Sequence, residues 1–280
     1  MPESLDQCLQ SGHYARKQLF SRNRILQWSH RSRFEMARRM VEPYAGGRLL
    51  DYGCGDGTFL AMVHDIFPRA TGAEIDSARV DECRTRLHAF PAINFALTSD
   101  LARPEHDGAY DVVLCTEVLE HLLDIAVEAA LDDFSRTVSP KGTVIISVPV
   151  EIGPALAVKQ IVRSIAAWQG LGDYEHREKY SFAEFAKMLT ADDRTQIERP
   201  LYSTPLTPNV DLKYHGHKGF NWRILESKLR RRFRIRKIHF SPAGVSKWFA
   251  SQVWFVCSPP LRFDASQPKS HAGNVIGLTR

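Results

Sequence analysis

The sequence is short of paired cysteines, of long apolar runs and of strong net charge, and each shortage excludes something. Its five cysteines, Cys8, Cys54, Cys83, Cys115 and Cys257, are scattered over 280 residues, and no two have CxxC spacing. An odd, dispersed set argues against a disulfide framework and against a zinc–thiolate site, and a reducing cytoplasm is the expected setting. No apolar run approaches the ~20 residues that a membrane-spanning helix needs. The opening MPESLDQCLQSGHYARKQ has no apolar stretch behind a basic patch, so no secretory signal is expected. A formal net charge of +5 permits an acidic partner without requiring one. Internal repeats are absent.

What is present is an alternation of two hydrophobic periods. Residues 13–45 read as a base-rich helix that Pro43 and Gly46-Gly47 end. Five short apolar runs follow, RLLDYG, ATGAEID, INFALTS, YDVVLCT and GTVIISVPV. Helical patterns at 57–66, 77–89 and 122–138 lie between them. Strands alternating with helices of this length imply an α/β fold with a parallel sheet covered on both faces. After Pro149 the rhythm changes. Leu156, Ile161, Ile165 and Trp168 mark one face of a helix, and YSFAEFAKML marks another. Residues 190–219 are rich in Pro, Thr, Asp and Gly and read as a long loop. FNWRILESKLRR returns to helix, and FRIRKIHF and SQVWFVC read as closing strands. The alternation slips between Ile235 and Ile238, which predicts a bulge.

The stretch LLDYGCGDGTF, residues 49–59, carries the chemistry. A glycine-rich turn from a first strand into a helix lets a nucleotide approach the backbone. The spacing Gly53-x-Gly55-x-Gly57 is one residue shorter than the dinucleotide fingerprint, and Asp51 and Asp56 flank it. Carboxylates there would repel a pyrophosphate and welcome a cation. S-adenosylmethionine (SAM) joins a nucleoside to an ammonium and a sulfonium and carries no phosphate, so it matches both features.

The stretch resembles the first motif of the class I SAM-dependent methyltransferases, and the resemblance extends over about residues 45–150. It implies a doubly wound, mostly parallel seven-stranded sheet with the last strand antiparallel, and SAM as cofactor. Glu74, with Ile75 next to it, ends the second strand 23 residues after Asp51, where a carboxylate accepts the ribose hydroxyls. Ser99, Asp100 and Leu101 follow the third strand, where the family's acid meets the adenine amino group. Thr116 and Glu117 close the fourth strand in YDVVLCTEVLEHL.

His121, just past that strand, is the candidate catalytic base, since an imidazole titrates near neutral pH; packing or capping of the next helix is the other reading. Glu117, Glu120 and His121 stand at i, i+3 and i+4, and HGHKGFNW supplies His215 and His217 downstream. This set resembles the metal-binding residues of small-RNA 3′-terminal 2′-O-methyltransferases. EVLEH is also common in relatives that bind no metal, so no metal is expected here, and activity should survive chelation. His176, Tyr180, His215 and His217 are candidate substrate contacts. The basic stripe over residues 213–237, with Phe220 and Trp222 interleaved, suits nucleic acid or a solvated face.

The expected organisation is an N-terminal helical cap (1–45), a SAM-binding core (46–150) and an insertion or lid over the substrate site (151–219). A helix and closing strands (220–260) and a loose tail (261–280) complete it. The expected function is methyl transfer to a hydroxyl or amine of a small metabolite or of a lipid- or sugar-linked intermediate. The alternatives are a metal-dependent RNA 2′-O-methyltransferase and a SAM-binding, non-catalytic partner subunit. Oligomeric state is not readable.

Overall fold

Five short apolar runs become five parallel strands; four are buried on both faces over most of their length, and the third, INFAL, alternates buried Ile93 and Phe95 with exposed Asn94. They are β1 (Arg48–Tyr52), β2 (Arg69–Glu74), β3 (Ile93–Leu97), β4 (Tyr110–Thr116) and β5 (Val138–Pro149). The computed structural model describes residues 5–12, 16, 24–168, 180–207, 210–241 and 250–260. Two further strands form a separate hairpin, β6 (Leu201–Thr207) and β7 (Val210–His215). The last two, β8 (Arg234–Ser241) and β9 (Gln252–Ser258), complete the main sheet. Its order is β3-β2-β1-β4-β5-β9-β8, with β9 antiparallel to both neighbours. The seven-stranded, mostly parallel sheet expected from the sequence is therefore present. Strand order reverses between β1 and β4, which opens a crevice at their carboxyl ends, the usual ligand position in such sheets.

Among the described residues, eight helices cover the faces: α1 (Leu5–Ser11), α2 (Arg24–Val41), α3 (Thr58–Met62), α4 (Ser77–Arg86), α5 (Asp124–Thr137), α6 (Pro154–Trp168), α7 (Phe182–Leu189) and α8 (Trp222–Arg232). Short polar residues start several of them. The Asp76 side chain accepts from Ala78 N, and Ser181 and Glu184 form a reciprocal capping box at α7. Asn221 caps α8 and also donates to the Asp192 and Thr195 carbonyls. One core cluster packs α5 and α8 on the sheet, with Tyr52 edge-on to Phe134 at 4.9 Å. The other packs α2, α3 and α4 on the opposite face around Leu49, Leu60, Phe67 and Trp254.

Several departures from the sequence reading have physical causes. The expected loop at 190–219 contains the β6–β7 hairpin, in which Tyr202 pairs with Tyr214. Its prolines hid it, and Pro205 sits where the pairing slips. β5 begins at Val138, inside the expected helix and before the run GTVIISVPV, and the β4–β5 register shifts between Tyr110 and Val112. The bulge in β8 is where the sequence placed it, between Ile235 and Lys237. Leu156 on α6 is fully buried but Ile161 is 59% exposed, so the expected stripe is not one buried face. The side chains of Ile165 and Trp168, all of His176 and the tail at 261–280 lie outside the described residues. Among the described residues, no helix is long and apolar enough to cross a membrane.

Candidate active site

The glycine turn joins β1 to α3 with Gly53, Gly55 and Gly57 at φ of +75°, +58° and +72°. A Cβ on Gly53 would stand 2.4 Å from Val118 Cγ2. The bare backbone thus admits the turn after β4 as well as a ligand, and the two loops touch there. Asp51, near the end of β1, is 2% exposed. Burial, then the nearby Glu74, push its carboxyl up to about 7. A carboxylate in that setting suits an ammonium partner.

Asp56 corrects the sequence reading. Its Oδ1 accepts from Thr58 N at 3.1 Å and lies 3.5 Å from Arg86 Nη2, with both side chains buried. Arg86 also donates to the Asp56 carbonyl and to Thr58 Oγ1. Asp56 therefore starts α3 and is neutralised from α4; its charge is not offered to a ligand.

Glu74 sits half-buried at the end of β2. Its Oε2 accepts from Gly55 N at 3.0 Å and its Oε1 from Ile75 N at 2.8 Å. The carboxylate thereby ties the glycine turn to β2 and keeps lone pairs for hydroxyl donors. Ile75 is 44% exposed beside it. Asp100 shapes the turn after β3, accepting from Leu97 N and Arg103. Ser99 is exposed and Leu101 fully buried.

The turn after β4 is the most strained and least satisfied part of the site. Glu117 has φ +55°, the only positive value at a non-glycine residue among the described residues. Glu120 is fully buried. All four carboxylate oxygens of Glu117 and Glu120 are inaccessible and lack a hydrogen-bond partner. Burial and then repulsion by Glu117 push the Glu120 carboxyl well above its ordinary range.

Two histidines face this pair. His121 Nδ1 is 2.8 Å from the His215 carbonyl, which only accepts, so Nδ1 carries a proton and Nε2 is the atom turned to the site. His217 Nε2 approaches that atom to 3.3 Å. The two Nε2 atoms are 3.8 and 4.0 Å from Glu120 Oε1. Burial, then His121, push the His217 imidazolium down to about 4, so His217 is neutral at pH 7. A proton or a cation must stand between two such nitrogens. Glu120, His121 and His217 each offer one ligand atom, all within 4.8 Å of one another.

The other candidates separate. The His215 ring contacts the Pro200 carbonyl at the base of the hairpin, and the His215 carbonyl is the group that meets His121. Tyr180 lies under Lys218, 5.2 Å from Nζ to ring centre, and Lys218 is tied to Glu184. Sequence reasoning missed Arg199 and Glu151, and it placed Arg33 in the helical cap without giving it a role. Arg199 donates to the Glu120 and Gly216 carbonyls and joins the turn to the hairpin. Glu151, fully buried after β5, receives Lys159 Nζ from α6 at 2.9 Å. Arg33 of α2 reaches Glu117. No local motif marks any of the three, because each contact joins segments distant in sequence.

A family model described as a methyltransferase domain matches residues 20–193. The ubiquinone biosynthesis O-methyltransferase of Shewanella halifaxensis is 37% identical over 90 residues, which are 29% of this chain and 37% of that protein. The protein of the same name from Pectobacterium carotovorum is 27% identical over 200 residues, 63% of this chain and 77% of that one. The matches to the first of these relatives thus span about two fifths of their length. The N-methyltransferase NodS of Bradyrhizobium japonicum, crystallised with S-adenosylhomocysteine (SAH), superposes with a TM-score of 0.52 at 12% identity, covering 92% of this chain and 98% of NodS. That likeness speaks for the fold alone. The sheet order, the glycine turn with its acidic strand ends and the match over residues 20–193 together make this chain a member of the methyltransferase domain family, within the class I SAM-dependent methyltransferases.

Proposed function

We propose that the protein methylates an oxygen on an acceptor that presents two neighbouring oxygens to a divalent cation. Glu120, His121 and His217 would hold that cation, with Glu117 beside them. The observation that carries the reading is the buried Glu120 carboxylate, which has no hydrogen bond and lies within 4.0 Å of two imidazole nitrogens, beside the equally unbonded oxygens of Glu117. Unpaired buried carboxylates are costly, and a hard cation is the usual compensation. Without a metal, the cost falls on protonation of Glu120 and on the Arg33 guanidinium near Glu117. When bound, the ion supplies Lewis acidity and lowers the pKa of a hydroxyl that it holds.

The residues of the chain do the remaining work. Asp51, Gly53 and Gly55 would take the amino-acid end of SAM, Glu74 and Ile75 the ribose, and Ser99, Asp100 and Leu101 the adenine. Thr116 and Glu117 would stand between cofactor and acceptor. His121 is better suited to ligation than to base catalysis, because the His215 carbonyl fixes its tautomer and its free nitrogen faces Glu120 and His217. The sulfonium already activates the methyl group, so alignment and exclusion of water are the protein's main contribution.

A small acceptor is favoured over nucleic acid. Lys228 and Arg232 share Glu128, Arg232 also pairs with Asp132, and Arg230 pairs with Glu226. Much of the basic stripe is therefore spent within the fold. The O-methyltransferase relatives favour a hydroxyl over an amine. Turnover with a catechol-type acceptor should stop with EDTA, return with Mn²⁺ or Mg²⁺, and fall sharply for the monohydroxy analogue. Turnover insensitive to EDTA would overturn the reading.

Asp51 gives a second test. Its carboxyl, raised to about 7, is protonated well below neutrality, and a proton there competes with the cofactor ammonium. SAM affinity is expected to rise by about tenfold per pH unit well below 7 and to level off above it. The unfolded carboxyl keeps its ordinary value of 3.8, so the folded state binds the extra proton between about 4 and 7. Asp51 thus lowers the stability of the cofactor-free protein as pH rises through that window. Calorimetry from pH 5.5 to 7.5 checks the affinity; a flat profile, equal to that of Asp51→Asn, would sink the assignment.

A further inference from the structure

Two side chains at the carboxyl end of β5 and the start of β9 are buried with unused hydrogen-bonding capacity. Ser147 and Gln252 are 0% and 1% exposed. Among the described residues, Ser147 Oγ and Gln252 Nε2 have no hydrogen-bond partner. Ser147 pairs with Trp254, and Pro149 with Gln252, in the β5–β9 ladder. Residues opposite each other share a face, as do alternate residues along a strand, so both side chains lie on the face that α2 covers. Ser147 also pairs with Thr116, and its carbonyl accepts from Glu117 N at 3.0 Å. The two side chains therefore border the turn after β4, next to the proposed cation ligands.

The orientation of the Gln252 amide is set by its neighbours. Trp254 Nε1 donates to Ser241 Oγ at 3.3 Å, and Ser241 Oγ donates to Gln252 Oε1 at 3.0 Å. The indole only donates, so the Ser241 hydrogen is left for the Gln252 carbonyl oxygen. Gln252 Nε2 is then turned away from Ser241 with both hydrogens unused. Buried donors are paired in nearly all folded proteins, and one held in place without a partner needs an explanation. The fold thus leaves two uncharged donors, an amide and a hydroxyl, on one face of the sheet beside the acceptor position. An oxygen that only accepts and carries no full charge suits them, whereas a carboxylate would need a cation as well. We propose that Gln252 and Ser147 form a subsite for a carbonyl oxygen of the acceptor, on a substituent away from the two cation-bound oxygens. Ser241 is its positioning residue. The inference rests on the acceptor position proposed above.

The probes are 3,4-dihydroxyacetophenone, which carries the carbonyl, and 4-ethylcatechol, which lacks it. Calorimetry on the full chain with Mn²⁺ and SAH measures both affinities. The ketone also acidifies its catechol, but equally for every variant, so the affinity ratio compared between variants isolates the hydrogen bonds. That ratio should fall at least about tenfold in Gln252→Met, because a site built around buried donors discriminates strongly. It should fall severalfold in Ser147→Ala, and partly in Ser241→Ala, where the amide loses its fixed orientation. Ser147→Ala should melt no lower than the unsubstituted protein, since its hydroxyl has no partner to lose. The same ratio in all variants would overturn the proposal, and binding of both catechols that EDTA abolishes would then leave the cation reading intact. A lowered Tm in Ser147→Ala with an unchanged ratio would assign the hydroxyl to packing and overturn the proposal too. No binding of either catechol in the presence of Mn²⁺ would overturn both readings. Circular dichroism checks that Gln252→Met folds, and Ser147→Ala carries the same test if it does not.

Discussion

The Glu120→Gln protein is expected to melt higher than the unsubstituted one and to turn over roughly 100-fold more slowly or worse. Both effects come from one carboxylate. Glu120 is fully buried, its oxygens lack hydrogen bonds, and Glu117 repels it. Glutamine keeps the shape and removes the charge. Relief of an uncompensated buried charge is worth about 1–2 kcal/mol, or several degrees in Tm for a domain of this size. The same change removes a cation ligand, so Mn²⁺ affinity should fall along with turnover. His217→Ala supplies a control. It should lose Mn²⁺ affinity without the gain in Tm, because it deletes a neutral ring from a packed position. The measurements are calorimetric melting without added metal and Mn²⁺ titration. A lowered Tm in Glu120→Gln, with unchanged Mn²⁺ affinity, would show that the carboxylate is an internal structural group.

Glu74→Ala should cost the protein its cofactor affinity by on the order of 100-fold. Glu74 accepts backbone hydrogens from Gly55 and Ile75, and in the proposed site it also accepts both ribose hydroxyls. A hydrogen bond to a charged group is worth about 1.5–3 kcal/mol, and water recovers part of each loss. A net loss of about 2.7 kcal/mol corresponds to the stated factor. The loss has two parts, direct contact and the position of the glycine turn. Glu74→Gln separates them, since its amide oxygen still accepts one hydrogen while the charge is gone. It should fall between the parent and Glu74→Ala. Calorimetry with SAH measures all three; equal affinity in Glu74→Ala would remove Glu74 from the cofactor site.

Most of the sheet was legible because local patterns sufficed. RLLDY and YDVVLCT are continuous apolar runs bounded by turn residues, and such runs have one stable home, a strand buried on both faces. The glycine turn was legible for a related reason. Gly53 and Gly57 hold backbone angles that side chains resist, so composition and conformation coincide. The hairpin was missed because Pro205 and its neighbours satisfy loop chemistry as well as an edge strand interrupted by a proline. Asp56 was misread because its neutralising partner, Arg86, arrives from another helix.

The residues next to one another in the chain thus carried the fold class, the cofactor type and the membership of EVLEH in the site. Spacing along a turn can place Glu117, Glu120 and His121 together, since three side chains within five residues share local geometry. It cannot choose between His215 and His217. That choice was made by the fold, which pins the His215 ring to Pro200, uses its carbonyl to orient His121, and turns His217 inward. Nor can spacing bring Arg33, Arg199 and Glu120 within reach of one another. Burial, charge balance and the tautomer of an imidazole are properties of a surrounding shell, and a shell is assembled only when distant segments pack.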